Sequence, residues 1–255
     1  MNKACRSSKS NSLQVVKWLL DNIPHDMFDL EIAMNNACRY DNVVVVQYFW
    51  NILDRTSFNV RTAWNNACYN CNEALLSYLL NNMDENMLDK SKAMLQACRN
   101  YEGGDRVISL LFEQPNMNTP ENCKNVLKEA CVHSNRPIVE WILENTAIQP
   151  SELKEMLIYT IKDAINKSND EEKSDHESLV WFMLKHPKVK ELERNNLSDV
   201  MEAVSSIGQL DMVQELWDNT EKNIFDMRVI INTACESGKF EIVDWFLQNI
   251  DLKKH

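Results

Sequence analysis

Apolar residues along this chain come in short bursts at helical spacing, and the bursts come in pairs. One burst reads Leu30, Ala33, Met34, Ala37 and Cys38, the stripe of an amphipathic helix rather than the alternation of a strand. Asp29 stands where an N-cap belongs, and Phe28 before it is placed to staple the first turn. The same offset, eight residues before the alanine or its equivalent, holds Asn59, Asp89, Asn122 and Asp226. Phe58, Leu88 and Phe225 repeat the staple position. Thr119-Pro120 offers a further helix start, because Pro is tolerated in a first turn. A polar break follows each first helix: Tyr40-Asp41-Asn42, Asn70-Cys71-Asn72, Ser134-Asn135-Arg136 and Ser237-Gly238-Lys239. Asn and Asp tolerate there the left-handed conformation that Gly supplies at Gly208 and Gly238. The second burst is apolar at i, i+1, i+3, i+4 and i+5, as in Val15-Val16-Lys17-Trp18-Leu19-Leu20, Ile138 to Leu143 and Ile242 to Leu247. That spacing predicts a second helix with a broad buried stripe, its Trp18, Trp141 and Trp245 packed in the core.

The pairs repeat. Met34-Asn35-Asn36-Ala37-Cys38 returns as Trp64-Asn65-Asn66-Ala67-Cys68 and as Met94-Leu95-Gln96-Ala97-Cys98. Anchors fall at Ala4, Ala37, Ala67, Ala97, Ala130, Thr160, Val204 and Ala234, and four of the steps between them are thirty residues long. Self-similarity at a fixed period in this range means a stacked solenoid. The chain is therefore expected to be all-α, one array over residues 1–255 of about eight helix–turn–helix repeats. The first and fourth units carry extra residues in the turn, the fourth using Gly103-Gly104. Residues 166–178 are polar apart from His176 and read as a tolerated surface insertion, with a disordered or ligand-dependent loop as the alternative. The first unit has half its first helix missing, a poor cap, so the chain is expected to continue upstream or to self-associate through that end.

Composition narrows the class. Four Gly and six Pro are too few for a fold built on tight strand turns. A net charge of −11 argues against nucleic acid as the partner, since phosphate is tracked by clustered Lys and Arg. Six of the eight cysteines (Cys5, Cys38, Cys68, Cys98, Cys131, Cys235) directly follow the anchor of their unit. A residue recurring once per repeat is a small buried packing residue, so these thiols form a row, not a cage. Cys68 and Cys71 make a C-x-x-C with no second pair, and no metal or other cofactor is expected. Unpaired thiols suit a reducing compartment, which places the chain in the cytoplasm. No signal peptide and no apolar run near the length of a membrane span occurs in the sequence.

The pattern A-C-x-x-G-x-x-x-I-V resembles the ankyrin repeat, and Ala234-Cys235-Glu236-Ser237-Gly238-Lys239-Phe240-Glu241-Ile242-Val243 matches it best. The T-P-L-H signature of that family is absent; Ala33, Ala63 and Ala93 stand where its Pro would be. A period of thirty implies that the β-hairpin finger is shortened or lost. Connectors such as Met27-Phe28-Asp29-Leu30 and Ile224-Phe225-Asp226-Met227 also resemble those of repeat arrays that follow a STAND-type nucleotide-binding domain. That likeness implies a structural or sensor segment of a larger receptor as the alternative function. No P-loop occurs in this chain.

Catalytic signatures are missing. The five histidines share no repeat position, and no H-E-x-x-H or G-x-S-x-G appears, so no enzyme is expected. The resemblance instead implies a partner-binding module whose first helices line a concave face. Their last residues would point into the groove: Arg39 and Tyr40, Tyr69 and Asn70, Arg99 and Asn100, and His133. Arg and Tyr dominate interface hot spots because they combine large buried area with directed hydrogen bonds. A protein is the expected partner, with neither nucleic acid nor membrane.

Overall fold

The computed structural model describes residues 1–7, 11–167, 170–192 and 194–249. All regular structure among them is helical. Contacts divide the chain into two compact units, Met1–Asn122 and Cys123–His255.

The first unit holds four helix pairs: α1 (Asn2–Cys5) with α2 (Ser12–Asn22), α3 (Leu30–Arg39) with α4 (Val43–Ile52), α5 (Val60–Tyr69) with α6 (Glu73–Asn82), and α7 (Lys90–Ala97) with α8 (Gly104–Phe112). The first helices stack in sequence, α1 on α3 on α5 on α7, and the second helices do likewise, α2 on α4 on α6 on α8. Each pair thus packs on its neighbours, the arrangement of a repeat array. The anchors Ala37, Ala67 and Ala97 are fully buried between adjacent first helices, where a small side chain lets the backbones approach.

Local bonds set where these helices start and stop. Asp29, Asn59 and Asp89 each cap a first helix, accepting from Ile32 N (2.8 Å), Thr62 N (3.1 Å) and Lys92 N (2.9 Å). These bonds satisfy donors that the first turn leaves without partners. Phe58 and Leu88 are buried beside their caps, as staples should be, whereas Phe28 is half-buried. The connectors are single 3-10 turns at His25–Met27, Arg55–Ser57 and Glu85–Met87 in place of hairpins. Asp54 and Asp84 cap two of them, each accepting from a backbone N–H at 3.0 Å. First helices close in the left-handed region at Asp41 (φ 57°) and Cys71 (φ 52°). At the first of these Asn42 N returns to the carbonyl of the anchor Ala37 (2.9 Å). Gly103 (φ 82°) does the equivalent job before α8, where a Cβ would sit 3.3 Å from the carbonyl oxygen of Cys71.

The second unit follows with α9 (Pro120–Val132), α10 (Arg136–Asn145), α11 (Pro150–Asn166), α12 (Asp170–Lys185), the one-turn α13 (Pro187–Lys190), α14 (Arg194–Ile207), α15 (Leu210–Asp218), α16 (Met227–Glu236) and α17 (Phe240–Asn249). Here α11, α14 and α16 stack as first helices, and α12, α15 and α17 as second helices. Asp226 caps α16 through Arg228 N and Val229 N. Ser134 (φ 50°), Gly208 (φ 87°) and Gly238 (φ 67°) take the left-handed position, with Asn135 N and Lys239 N returning to Ala130 O and Ala234 O at 2.8 Å.

Four expectations are corrected. Asn122 is not a cap: α9 opens at Pro120, Thr119 Oγ1 accepts from Asn122 N (3.2 Å), and the Asn122 amide donates to Met117 O. Pro cannot donate, so the helix begins on it and the Thr before it wins the cap. Trp18 is 60 % exposed, and Trp141 and Trp245 are half-buried, because i+3 of the second-helix burst lies on the rim of the stripe, not at its centre. The positions buried in most units are i, i+1, i+4 and i+5, as at Val45, Val46, Phe49 and Trp50 or Ile138, Val139, Ile142 and Leu143. Cys235 is exposed while Cys5, Cys38, Cys68, Cys98 and Cys131 are buried; among the described residues no further unit covers its side of α16. Finally, residues 170–178 are the first turns of α12 rather than a loop. His176, Leu179, Val180 and Met183 form one continuous buried stripe there, with a histidine as its polar end. Residues 168 and 169 lie outside the described residues.

Candidate functional site

Six of the residues expected at the binding face belong to the first unit, at the C-terminal ends of α3, α5 and α7. Their backbones are held in register by a ladder of side-chain amides. The Asn70 Nδ2 donates to the Arg39 carbonyl, and the Asn100 Nδ2 donates to the Tyr69 carbonyl at 3.4 Å. Each amide therefore caps a carbonyl of the preceding repeat that its own helix leaves without a partner. One residue further on, burial pushes the Asp41 carboxyl above its ordinary value, while hydrogen bonds to Asn72 and Asn70 pull it back. Burial likewise pushes the Cys71 thiol up to about 11 against a hydrogen bond with Asn100. Asn42, buried one repeat earlier, donates to Ser7 O (2.7 Å) and Ser12 Oγ (3.2 Å).

This ladder divides the expected site in two. The amides of Asn70 and Asn100 are engaged within the chain, joining neighbouring repeats at the surface. Arg39, Tyr69 and Arg99 point outward, Tyr69 being 64 % exposed. Tyr40 is 44 % exposed, with the Arg6 guanidinium 5.7 Å from its ring centre while Arg6 Nε donates to Asn36 Oδ1. Stacked repeats thus present two arginines and two tyrosines from one set of helix ends, with fixed backbones beneath them. Tyr101, 57 % exposed, stands in the turn after α7, one residue past the pair of positions expected at the binding face. His133 belongs to the second unit, where its Nε2 lies 3.3 Å from Glu129 Oε1, one helical turn back.

A second cluster has the residue types of a hydrolytic triad. The His176 Nδ1 is 2.6 Å from Ser134 Oγ and 2.9 Å from Glu172 O, and its Nε2 is 3.0 Å from Asp163 Oδ2. Ser134 and His176 are only 7 % and 3 % exposed, so a substrate carbonyl has no path to the hydroxyl. The trio ties the α9–α10 turn to α11 and α12 as an internal polar network. The C-x-x-C thiols are also buried: Cys68 is pushed up chiefly by burial, as Cys71 is, and Cys71 Sγ lies 3.5 Å from Cys68 O. A reactive cysteine needs the opposite environment, exposed and electropositive.

Among the described residues, no group of three or more His, Cys, Asp or Glu is placed to hold a metal ion, and no helix is long and apolar enough to cross a membrane. Comparison of the chain with protein-family models, with curated proteins and with solved structures returns no match.

Proposed function

We propose that this chain is a divergent ankyrin-like repeat array acting as a non-catalytic module that binds a partner protein in the cytoplasm. The observation that carries the reading is the row of exposed Arg39, Tyr40, Tyr69 and Arg99 on helix ends that Asn70 and Asn100 lock in register. Such a row is preorganised: its backbones lose little freedom on binding, so more of the side-chain contact energy appears as affinity. Arg and Tyr supply flat, amphipathic area with directed donors, the chemistry of interface hot spots. Ankyrin-like ancestry is supported by the Ala-Cys anchor, the left-handed turn position four residues later and the paired-helix stacking. The acidic balance of the chain speaks for protein over nucleic acid.

The test is affinity capture with the wild type beside Arg39→Ala/Tyr69→Ala/Arg99→Ala. All three side chains are exposed, so thermal melting of the variant is expected to match the wild type. A partner retained by the wild type is expected to weaken by about 1–2 kcal/mol for each hot-spot residue removed. Equal retention by both forms, or capture of nothing but the chain itself, would overturn the reading.

A further inference from the structure

The second unit carries a hollow of about 430 Å³ between the start of α10 and the end of α12, at the low end of the range for small-ligand sites. Its walls are Trp181 and Phe182, and its polar groups come from Arg136, Lys185, Ser178 and His186. The Arg136 guanidinium lies 4.5 Å from the centre of the Phe182 ring, and Lys185 Nζ lies 5.1 Å from that of Trp181. Among the described residues neither cation is in an ion pair, although acidic residues outnumber basic ones by eleven in this chain. His186 Nδ1 accepts from Lys188 N (3.3 Å), which leaves the Nε2–H as the ring's donor. Burial and then Lys188 lower the pKa of this histidine, against the pull of Glu144, Glu140 and Glu191, so it serves as a neutral donor.

The repeat itself indicates that these residues are not there for packing. At the place of Trp181 the other units carry Lys17, Gln47, Ser77, Ser109, Glu140, Gln214 and Asp244, all polar. At the place of Lys185 they carry Asp21, Asn51, Asn81, Glu113, Glu144, Asp218 and Gln248, none of them cationic. At the place of Arg136 they carry Leu13, Val43, Glu73, Asp105, Glu177, Leu210 and Phe240, again without a cation. Three departures from the repeat, coming from two different units of the array, converge on one hollow. Two cations, an N–H and a hydroxyl beside aromatic walls match a flat ring that carries a tetrahedral anion.

We propose that this hollow binds a phosphorylated aromatic group, a planar ring bearing a phosphate monoester, through Arg136, Lys185 and Ser178 on the phosphate and Trp181 and Phe182 on the ring. The site is independent of the partner-binding row. Free nucleotides and phosphotyrosine side chains share this chemistry, and calorimetric titration of the full chain separates them with phenyl phosphate, adenosine monophosphate, a phosphotyrosyl peptide and inorganic phosphate as probes. Phenyl phosphate is expected to bind with a dissociation constant on the order of 0.1–1 mM. Inorganic phosphate, which lacks the ring, is expected to bind at least about tenfold more weakly. Trp181→Gln and Lys185→Asn install residues that other units already carry, so both variants should melt like the wild type while losing about tenfold in affinity, as should Arg136→Gln. Tighter binding of the nucleotide than of the peptide would name a nucleotide site, and the reverse a phosphoprotein site; both outcomes support the proposal. It is overturned if no ring-bearing probe saturates, if inorganic phosphate binds as well as phenyl phosphate, or if the three variants bind like the wild type.

Discussion

Ser205 directly follows the anchor Val204, the place that cysteine holds in five buried copies of the repeat. It is fully buried, and among the described residues its hydroxyl has no hydrogen-bond partner. A buried hydroxyl without a partner costs about 1–3 kcal/mol, and a thiol of similar size does not carry that penalty. Ser205→Cys is therefore expected to raise the unfolding free energy by about 1–2 kcal/mol, read as a higher urea midpoint. An unchanged or lower midpoint would mean that the hydroxyl finds a partner in solution. The repeat position and the missing Cys are legible in the sequence; the burial is not. His176 is the reverse case. Its partner Ser134 lies forty-two residues away, so nothing local marks it, and a polar stretch with one histidine reads as a loop until α11 is packed against α12.

Helix ends were the most legible elements, because a cap bond spans only three residues and depends on little beyond them. Asp29, Asn59, Asp89 and Asp226 all cap where the offset placed them. Asp29→Ala and Asp226→Ala are each expected to cost about 1 kcal/mol of stability in chemical denaturation, with the fold retained. Stability equal to the wild type would show that water caps these exposed turns equally well. A second device escaped notice although its signal was present. Asn22, Asn82, Asn145, Asn219 and Asn249 close second helices by donating to the carbonyl four residues back, at 2.7 to 2.9 Å. The recurrence of Asn at the end of the second burst would have revealed it. The rim position of Trp18, Trp141 and Trp245 has another cause. A burst of five apolar positions covers more of the helix than one neighbouring row can bury, and which edge stays at the rim is set by packing.

At the scale of the whole molecule, the cysteines report on the array. Burial holds Cys38 and Cys131 up to about 12, and Cys5 and Cys71 up to about 11, against an ordinary value of 9.0. Between these values the native chain keeps protons that the unfolded chain releases. The resulting stability is complete below about pH 9 and falls as pH rises from there toward 11 and 12, by up to about 1.4 kcal/mol per thiol and pH unit. Denaturation midpoints measured at about pH 8 and about pH 10 should therefore fall with pH, and a midpoint independent of pH would place the thiols in water. A thiol reagent at neutral pH should label Cys235 at once and the buried row only on unfolding.

The sequence alone determined the paired helices, the anchors, the caps and the turn positions, because each rests on bonds or periodicity within a few residues. It also set the row of Arg39, Tyr69 and Arg99 at successive helix ends. Tertiary structure decided what each of those features faces. It tied Asn70 and Asn100 to the preceding repeat, left Trp18 on the rim and Cys235 in the open, and brought Arg136 to the hollow lined by Trp181 and Lys185. The physical reason is the same throughout: burial and partnership belong to the element packed alongside, which lies a repeat or more away along the chain.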